Sequence, residues 1–290
     1  MQLLPIFDTS VFLDLDGSKR RISTADWQLV EQKAPENGWP LSAITVFELL
    51  IGLAGCGHQS FAKAQNPLRI AQTISRGRVL EPPKAFIVKE LFSEKNSGPV
   101  VAPHHLEKWL EIACLARTRD ELIARLDLTP LDIHLGGYSN KHAVAKRQLL
   151  ANVNPNWRKT RASAGASLPE ATRNQLRDRF PLERWKSSLR KGFLSKRGVE
   201  PTELNLATFG PRVDAALTLR AELLRQTLLG SYEFDRNSNE DRDVEQLFYL
   251  ARENNCFVTQ DNRLVQLVQQ SSQSNRIYSF ESFLASLQFN

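Results

Sequence analysis

Apolar and polar positions change rhythm along the chain, and those changes mark out its elements. LLPIF opens as an apolar run of strand character and ends at Asp8. TSVFLDLDG then reads as a short helix, capped by Thr9 or Ser10 and stopped at Gly17. TADWQLVEQKA has helical spacing with Thr24 as N-cap. PLSAITVFELLIGLAGCG opens like a buried strand or turn and continues as a helix over Ile44 to Leu53, ended by glycines. FAKAQNPLRIAQTI and KAFIVKELF are helical, and between them GRVLEPP is a short strand halted by its Pro-Pro pair. HHLEKWLEIACLARTRDELIARL predicts an amphipathic helix or helix pair, with Trp109, Ile112 and Leu115/Ala116 on one stripe. From about Glu203 a long helical pattern resumes around PRVDAALTLRAELLRQTLL. After the polar stretch SYEFDRNSNED come a compact helix, DVEQLFYLAREN, a strand, CFVTQD, and a helix, NRLVQLVQQ. RIYSFESFLASL closes as strand plus helix. Strand and helix alternate at both ends, which predicts an α/β fold with a parallel sheet covered by helices. The middle lacks that alternation. The expected organisation is therefore residues 1–95 and 205–290 as one α/β domain, interrupted by a mostly helical, basic insertion at 96–204.

Composition changes this picture little, but charge distribution changes it more. Over 290 residues, 41% are apolar and 24% charged, as in ordinary globular chains. No window is apolar enough for a transmembrane helix, and Asp8 interrupts what would otherwise resemble a signal sequence. No membrane association is expected. Three scattered cysteines without a CxxC fit free thiols in a reducing cytoplasm. The net charge is +6, yet Ser139 to Gly198 holds fifteen Lys/Arg against three Asp/Glu, so the rest of the chain is acidic. Trp157, Phe180, Trp185 and Phe193 lie among these cations. Cations that meet phosphate, interleaved with aromatics that stack on bases, make a candidate nucleic-acid surface. Its expected contacts are Trp157, Arg158, Lys159, Arg161, Arg184, Trp185, Lys186, Arg190 and Lys191. The plainer alternative is a solvated basic face that promotes solubility.

The candidate chemistry is acidic. CFVTQD delivers Thr259 and Asp261 to the carboxyl edge of a strand, where active sites of open α/β sheets lie. Asp243 starts the preceding helix, with Leu247, Leu250 and Ala251 on the same stripe. A carboxylate there is ordinarily a cap, but this one sits shortly before another strand-end acid. Glu48 lies among Ile44, Phe47, Ile51 and Leu53; it needs a partner or a metal, or else points to solvent. His104-His105 has no third ligand at suitable spacing and belongs to a helix start beside Pro103. Asp241 reads as a loop or cap acid. Gly136-Gly137 lacks the strand–helix setting of a phosphate loop, and no serine or cysteine has an evident base.

IFDTS, SAITVFELLIG, DVEQLFYLAREN and CFVTQD, in that order, resemble the PIN-domain nucleases. The resemblance covers roughly residues 1–95 and 205–290. It implies a three-layer fold around a central parallel sheet and a Mg²⁺- or Mn²⁺-dependent nuclease, most often an endoribonuclease. The implied metal-binding and catalytic acids are Asp8, Glu48, Asp243 and Asp261, with Thr9, Ser10 and Thr259 as polar helpers. RNA is the implied substrate, with single-stranded DNA as the alternative. A toxin role with an antitoxin protein partner, and a homodimer, follow from family habit. This chain departs from the family's usual length by about a hundred residues in the middle. A catalytically weak nucleic-acid-binding module on the same fold is the second reading. LDLDGS also resembles the first motif of haloacid-dehalogenase-type phosphatases, with Asp14 as nucleophile and Asp16 as general acid. Against it, Ser18-Lys19 replaces the usual threonine and apolar residue, and CFVTQDNRL offers one late acid rather than a pair.

Overall fold

The computed structural model describes residues 3–15, 22–57, 60–92, 103–126, 171, 175, 181–196, 198–228 and 240–288. Two compact units divide the chain. The first comprises Met1–Leu128 and Glu245–Asn290, and the second Thr129–Val244. The sequence reading instead divides at 95/96 and 204/205.

The first unit is an α/β arrangement built on three parallel strands, β1 (Leu4–Phe7), β2 (Asn255–Thr259) and β3 (Ile277–Ser279), in that order across the sheet. Each strand is short, and β2 is buried along its whole length, as expected of strands covered on both faces. Register sets Phe7 opposite Val258 and Thr259 opposite Ser279, so the residues after β1 and at the end of β2 share one edge. The expected strand GRVLEPP contributes only an isolated bridge between Leu41 and Val79. Prolines at 82 and 83 remove the donors that would extend it, and α5 begins at Pro83.

Helices α1 (Thr9–Leu15), α2 (Thr24–Lys33), α3 (Ala43–Gly55), α4 (Phe61–Ser75) and α5 (Pro83–Phe92) follow β1. Ser23, not Thr24, caps α2, its hydroxyl accepting from Asp26 N. Ser42 caps α3, accepting from Thr45 N at 2.9 Å. The stretch from His104 forms a helix pair, α6 (Pro103–Leu115) and α7 (Arg119–Arg125), separated where Thr118 caps the second. Both pack within the first unit. Buried Gln65 of α4 donates to the carbonyls of Ala113, Cys114 and Ala116, satisfying the C-terminal end of α6. Leu106, Leu110 and Ala113 are fully buried.

An aromatic cluster fills the core beside the sheet. Phe7 meets Phe12, Trp27, Trp39 and Phe283 at centroid separations of 5.6 to 6.1 Å. Such tilted and edge-to-face pairs add to the gain from burial. Tyr249 is also fully buried; its hydroxyl accepts from Ala43 N and donates to Glu81 O. Burial pushes its phenol well above its ordinary pKa. Gly38 has φ +69°, and a Cβ there would stand 2.6 Å from the Ser75 carbonyl carbon. Only glycine suits both the conformation and the close approach.

The second unit contains α8 (Leu182–Ser195), α9 (Glu203–Phe209), a 3₁₀ turn over Gly210–Val213, and α10 (Asp214–Leu228). The expected continuous helix is thus interrupted around Pro211. Helix α11 (Glu240–Gln246) has its last two residues in the first unit and passes into a 3₁₀ turn over Leu247–Ala251. Beyond β2 come α12 (Asn262–Leu267) and, after β3, α13 (Phe280–Gln288). Among the described residues, no helix is long and apolar enough to cross a membrane.

Candidate active site

Asp8 is the first residue past β1, at the carboxyl edge of the sheet. Pairing carries its main-chain N–H to Val258 O at 2.9 Å, and its side chain is buried. Both carboxylate oxygens are engaged. Oδ1 accepts from Thr9 N at 2.7 Å and Gln246 Nε2 at 3.2 Å. Oδ2 accepts from the hydroxyls of Ser10 at 2.5 Å and Thr259 at 2.9 Å. Two donors come from the start of α1, one from the end of β2, and one from the end of α11. Four donors meet the usual capacity of a carboxylate.

Main-chain N–H groups beyond β2 fix the hydroxyls. Ser10 Oγ accepts from Gln260 N at 3.1 Å, and Thr259 Oγ1 accepts from Asp261 N at 3.0 Å. Glu48, half-buried on α3, joins through Thr9, whose hydroxyl donates to Oε2 at 2.5 Å. Sequence reasoning left Glu48 a choice among partner, metal and solvent; the structure supplies Thr9 as a partner. Thr45, one turn earlier, donates to Phe7 O at 2.9 Å and ties α3 to the end of β1.

The remaining expected acids are placed differently. Asp261 is exposed and caps α12, with Oδ1 accepting from Arg263 N at 2.8 Å and Leu264 N at 3.1 Å. Only its main chain touches the Asp8 network. Asp243 is half-buried on α11 and belongs to the second unit. Among the described residues, no group of three or more His, Cys, Asp or Glu stands where it could hold a metal ion.

Gln246 is the site residue that the sequence reading missed. It is fully buried, and its Oε1 has no hydrogen-bond partner. Its signal was a polar residue at a core position of DVEQLFYLA, flanked by buried Val244 and Leu247. An orphaned amide oxygen beside a carboxylate is costly in a closed interior and adds one more hard oxygen to the donor set.

The phosphatase resemblance requires Asp14 at the end of a strand. Instead Val11, Phe12 and Leu13 lie in α1, and Asp14 is buried on that helix. The reading fails on this geometry; Asp16 lies outside the described residues. His104 and His105 begin α6, both exposed, with rings 4.1 Å apart.

Of the expected nucleic-acid contacts, Trp157, Arg158, Lys159 and Arg161 lie outside the described residues. Arg184 and Lys191 are exposed on α8, one face apart by two turns, and Trp185 is half-buried. Lys186 corrects the expectation. It is buried, with Nζ 3.0 Å from both Asp214 and Glu183. Arg190 reaches the same Asp214 oxygen at 2.5 Å. These two cations face α10 because α8 is amphipathic, and the buried acid at the start of α10 requires them.

Comparison with known proteins adds nothing to this geometry: no protein-family model, no curated protein and no solved structure matches the chain.

Proposed function

We propose that this chain is a divalent-metal-dependent nuclease acting on RNA, with Asp8 as the pivot of its site and a PIN-like fold around it. One observation carries the reading. Residues separated by some 240 positions converge on a single buried carboxylate at the carboxyl edge of a parallel sheet, the usual place of ligand sites in such sheets. The donor chemistry fits Mg²⁺ or Mn²⁺, which favour oxygen ligands and keep several waters. Asp8 and Glu48 would hold the ion, with the Gln246 amide oxygen and the hydroxyls of Ser10 and Thr259 nearby. Such an ion, when bound, activates a water and offsets charge on the phosphodiester.

The chain's own residues have separate tasks. Thr9 holds Glu48 by its hydroxyl and Asp8 by its N–H. Ser10 and Thr259 orient Asp8, and their hydroxyl hydrogens can rotate away when a ligand takes Oδ2. Gln246 closes the buried side of the carboxylate. Exposed cations of the basic block, Arg184 and Lys191 among them, bind RNA phosphates.

One observation favours the second reading, a nucleic-acid-binding module without cleavage. Asp8 is already saturated by four protein donors, as a purely structural cap would be. The test is cleavage of labelled single-stranded RNA, with matched DNA, in Mg²⁺, Mn²⁺ or EDTA. Metal-dependent cleavage that disappears in folded Asp8→Asn is the expected result. Salt-sensitive binding without cleavage selects the binding module. Cleavage that persists in Asp8→Asn removes Asp8 from the chemistry.

A further inference from the structure

The C-terminal end of α4 and the first half of α6 flank an open cleft of about 500 Å³, a volume typical of small-molecule sites. Arg76 and Arg78 line it from one segment, and His104, Glu107, Lys108 and Glu111 from the other. The four residues of α6 are spaced i, i+3, i+4 and i+7. They therefore form one continuous polar stripe, while Leu106, Leu110 and Ala113 occupy the buried face.

Arg76 is the most informative member. It has φ +54° and is the one non-glycine residue with positive φ among those described. It sits at the C-cap of α4, where its N–H closes onto Gln72 O and Thr73 O. Glycine is the favoured residue in this left-handed cap, because a Cβ is unfavourable there. What arginine adds is a cationic side chain among the residues lining the cleft. Among the described residues, neither Arg76 nor Lys108 is in an ion pair. Arg78 is held in place by Asn37 O and Gly38 O through Nη1. Arg76, Arg78 and Lys108 outnumber the carboxylates of Glu107 and Glu111 among the lining residues, so the cleft keeps a net positive charge that favours an anion. Glu107 is fixed by Val79 N, and with Glu111 it supplies acceptors in the same cleft.

We infer that this cleft binds a phosphorylated sugar, free or as part of a nucleotide. The phosphate pairs with Arg76, Arg78 and Lys108, since arginine forks and lysine ammonium groups suit phosphate oxygens. The sugar hydroxyls donate to Glu107 and Glu111. The cleft shares no residue with the Asp8 network, so its test does not depend on the proposed cleavage.

The test is calorimetric titration of the full chain with ribose 5-phosphate, a 5′-nucleoside monophosphate, inorganic phosphate and ribose. Both phosphorylated sugars bind, and more tightly than inorganic phosphate or ribose. A tighter nucleoside monophosphate assigns the nucleotide, and equal affinities assign the sugar phosphate. Arg76→Gly weakens binding at least tenfold without lowering the thermal midpoint, because glycine suits the backbone there. Lys108→Gln weakens it several-fold. Unchanged affinity in both variants, or no binding of either phosphorylated sugar at millimolar concentration, overturns the proposal. Inorganic phosphate binding as tightly as the sugar phosphates overturns the role given to the two carboxylates.

Discussion

Replacing Asp8 tests two things at once, because its carboxylate organises the edge of the sheet whatever else it does. Asparagine can keep most of the network. Its oxygen takes the Oδ1 position, facing the N–H of Thr9 and the amide of Gln246, which can only donate there. Its nitrogen takes the Oδ2 position, where the hydroxyls of Ser10 and Thr259 can turn to accept. Asp8→Asn should cost about 1 kcal/mol, and Asp8→Ala about 2–4 kcal/mol, since alanine strands several buried donors. Urea unfolding of both variants measures this. Equal losses would show that the four hydrogen bonds do not organise the edge. Cleavage lost in Asp8→Asn with stability nearly intact would then belong to chemistry rather than folding.

At the level of elements, two helices separate structural charge from functional charge. Asp261 caps α12, and asparagine caps almost as well. Asp261→Ala should cost about 1 kcal/mol and Asp261→Asn a few tenths. Loss of cleavage in Asp261→Asn, at unchanged stability, would add a ligand role to the cap; retained cleavage would leave it a cap. On α8, Lys186→Gln should destabilise by about 3 kcal/mol, because it removes one partner from the buried Asp214. Arg184→Gln with Lys191→Gln should leave stability within about 0.5 kcal/mol and weaken RNA binding in a salt-dependent way. The opposite pattern, weak binding in Lys186→Gln at full stability, would return that lysine to the surface role read from sequence. Charge runs conceal such differences. In RFPLERWKSSLRKG every cation looks alike until a neighbouring helix presents an acid. Strand ends were easier to read. LLPIF and CFVTQD each place four or five strand residues just before or at a polar edge, and their pairing brought Asp8 beside Thr259. The role of Gln246 and the Thr9–Glu48 contact were not legible, because both depend on how distant segments meet. GRVLEPP misled because β-branched and aliphatic content signals burial, while only a long partner strand makes a strand of it.

For the molecule as a whole, the buried thiols predict an alkaline limit. Burial pushes Cys256, and likewise Cys114, from 9.0 up to about 12. The folded protein therefore keeps protons that the unfolded chain releases above pH 9. Their contribution to stability is complete below pH 9, declines as pH rises, and is lost by about 12. Stability of the parent relative to Cys256→Ala, followed by denaturant titration from pH 7 to 11, should fall across that window. A flat difference would mean that Cys256 is not kept protonated by the fold. The sheet itself has a consequence in time. Among the described residues β1 pairs only with β2, whose first residue is Asn255, so β1 must wait for a strand made about 250 residues later. Such distant pairing makes high contact order and slow closure. Throughout synthesis Asp8 lacks Gln246 and Thr259, and the growing chain carries its carboxylate without the partners that shape it. If the site cuts RNA, a nascent chain still attached to the ribosome is kept inactive by its own topology until Gln246 and Thr259 have been made.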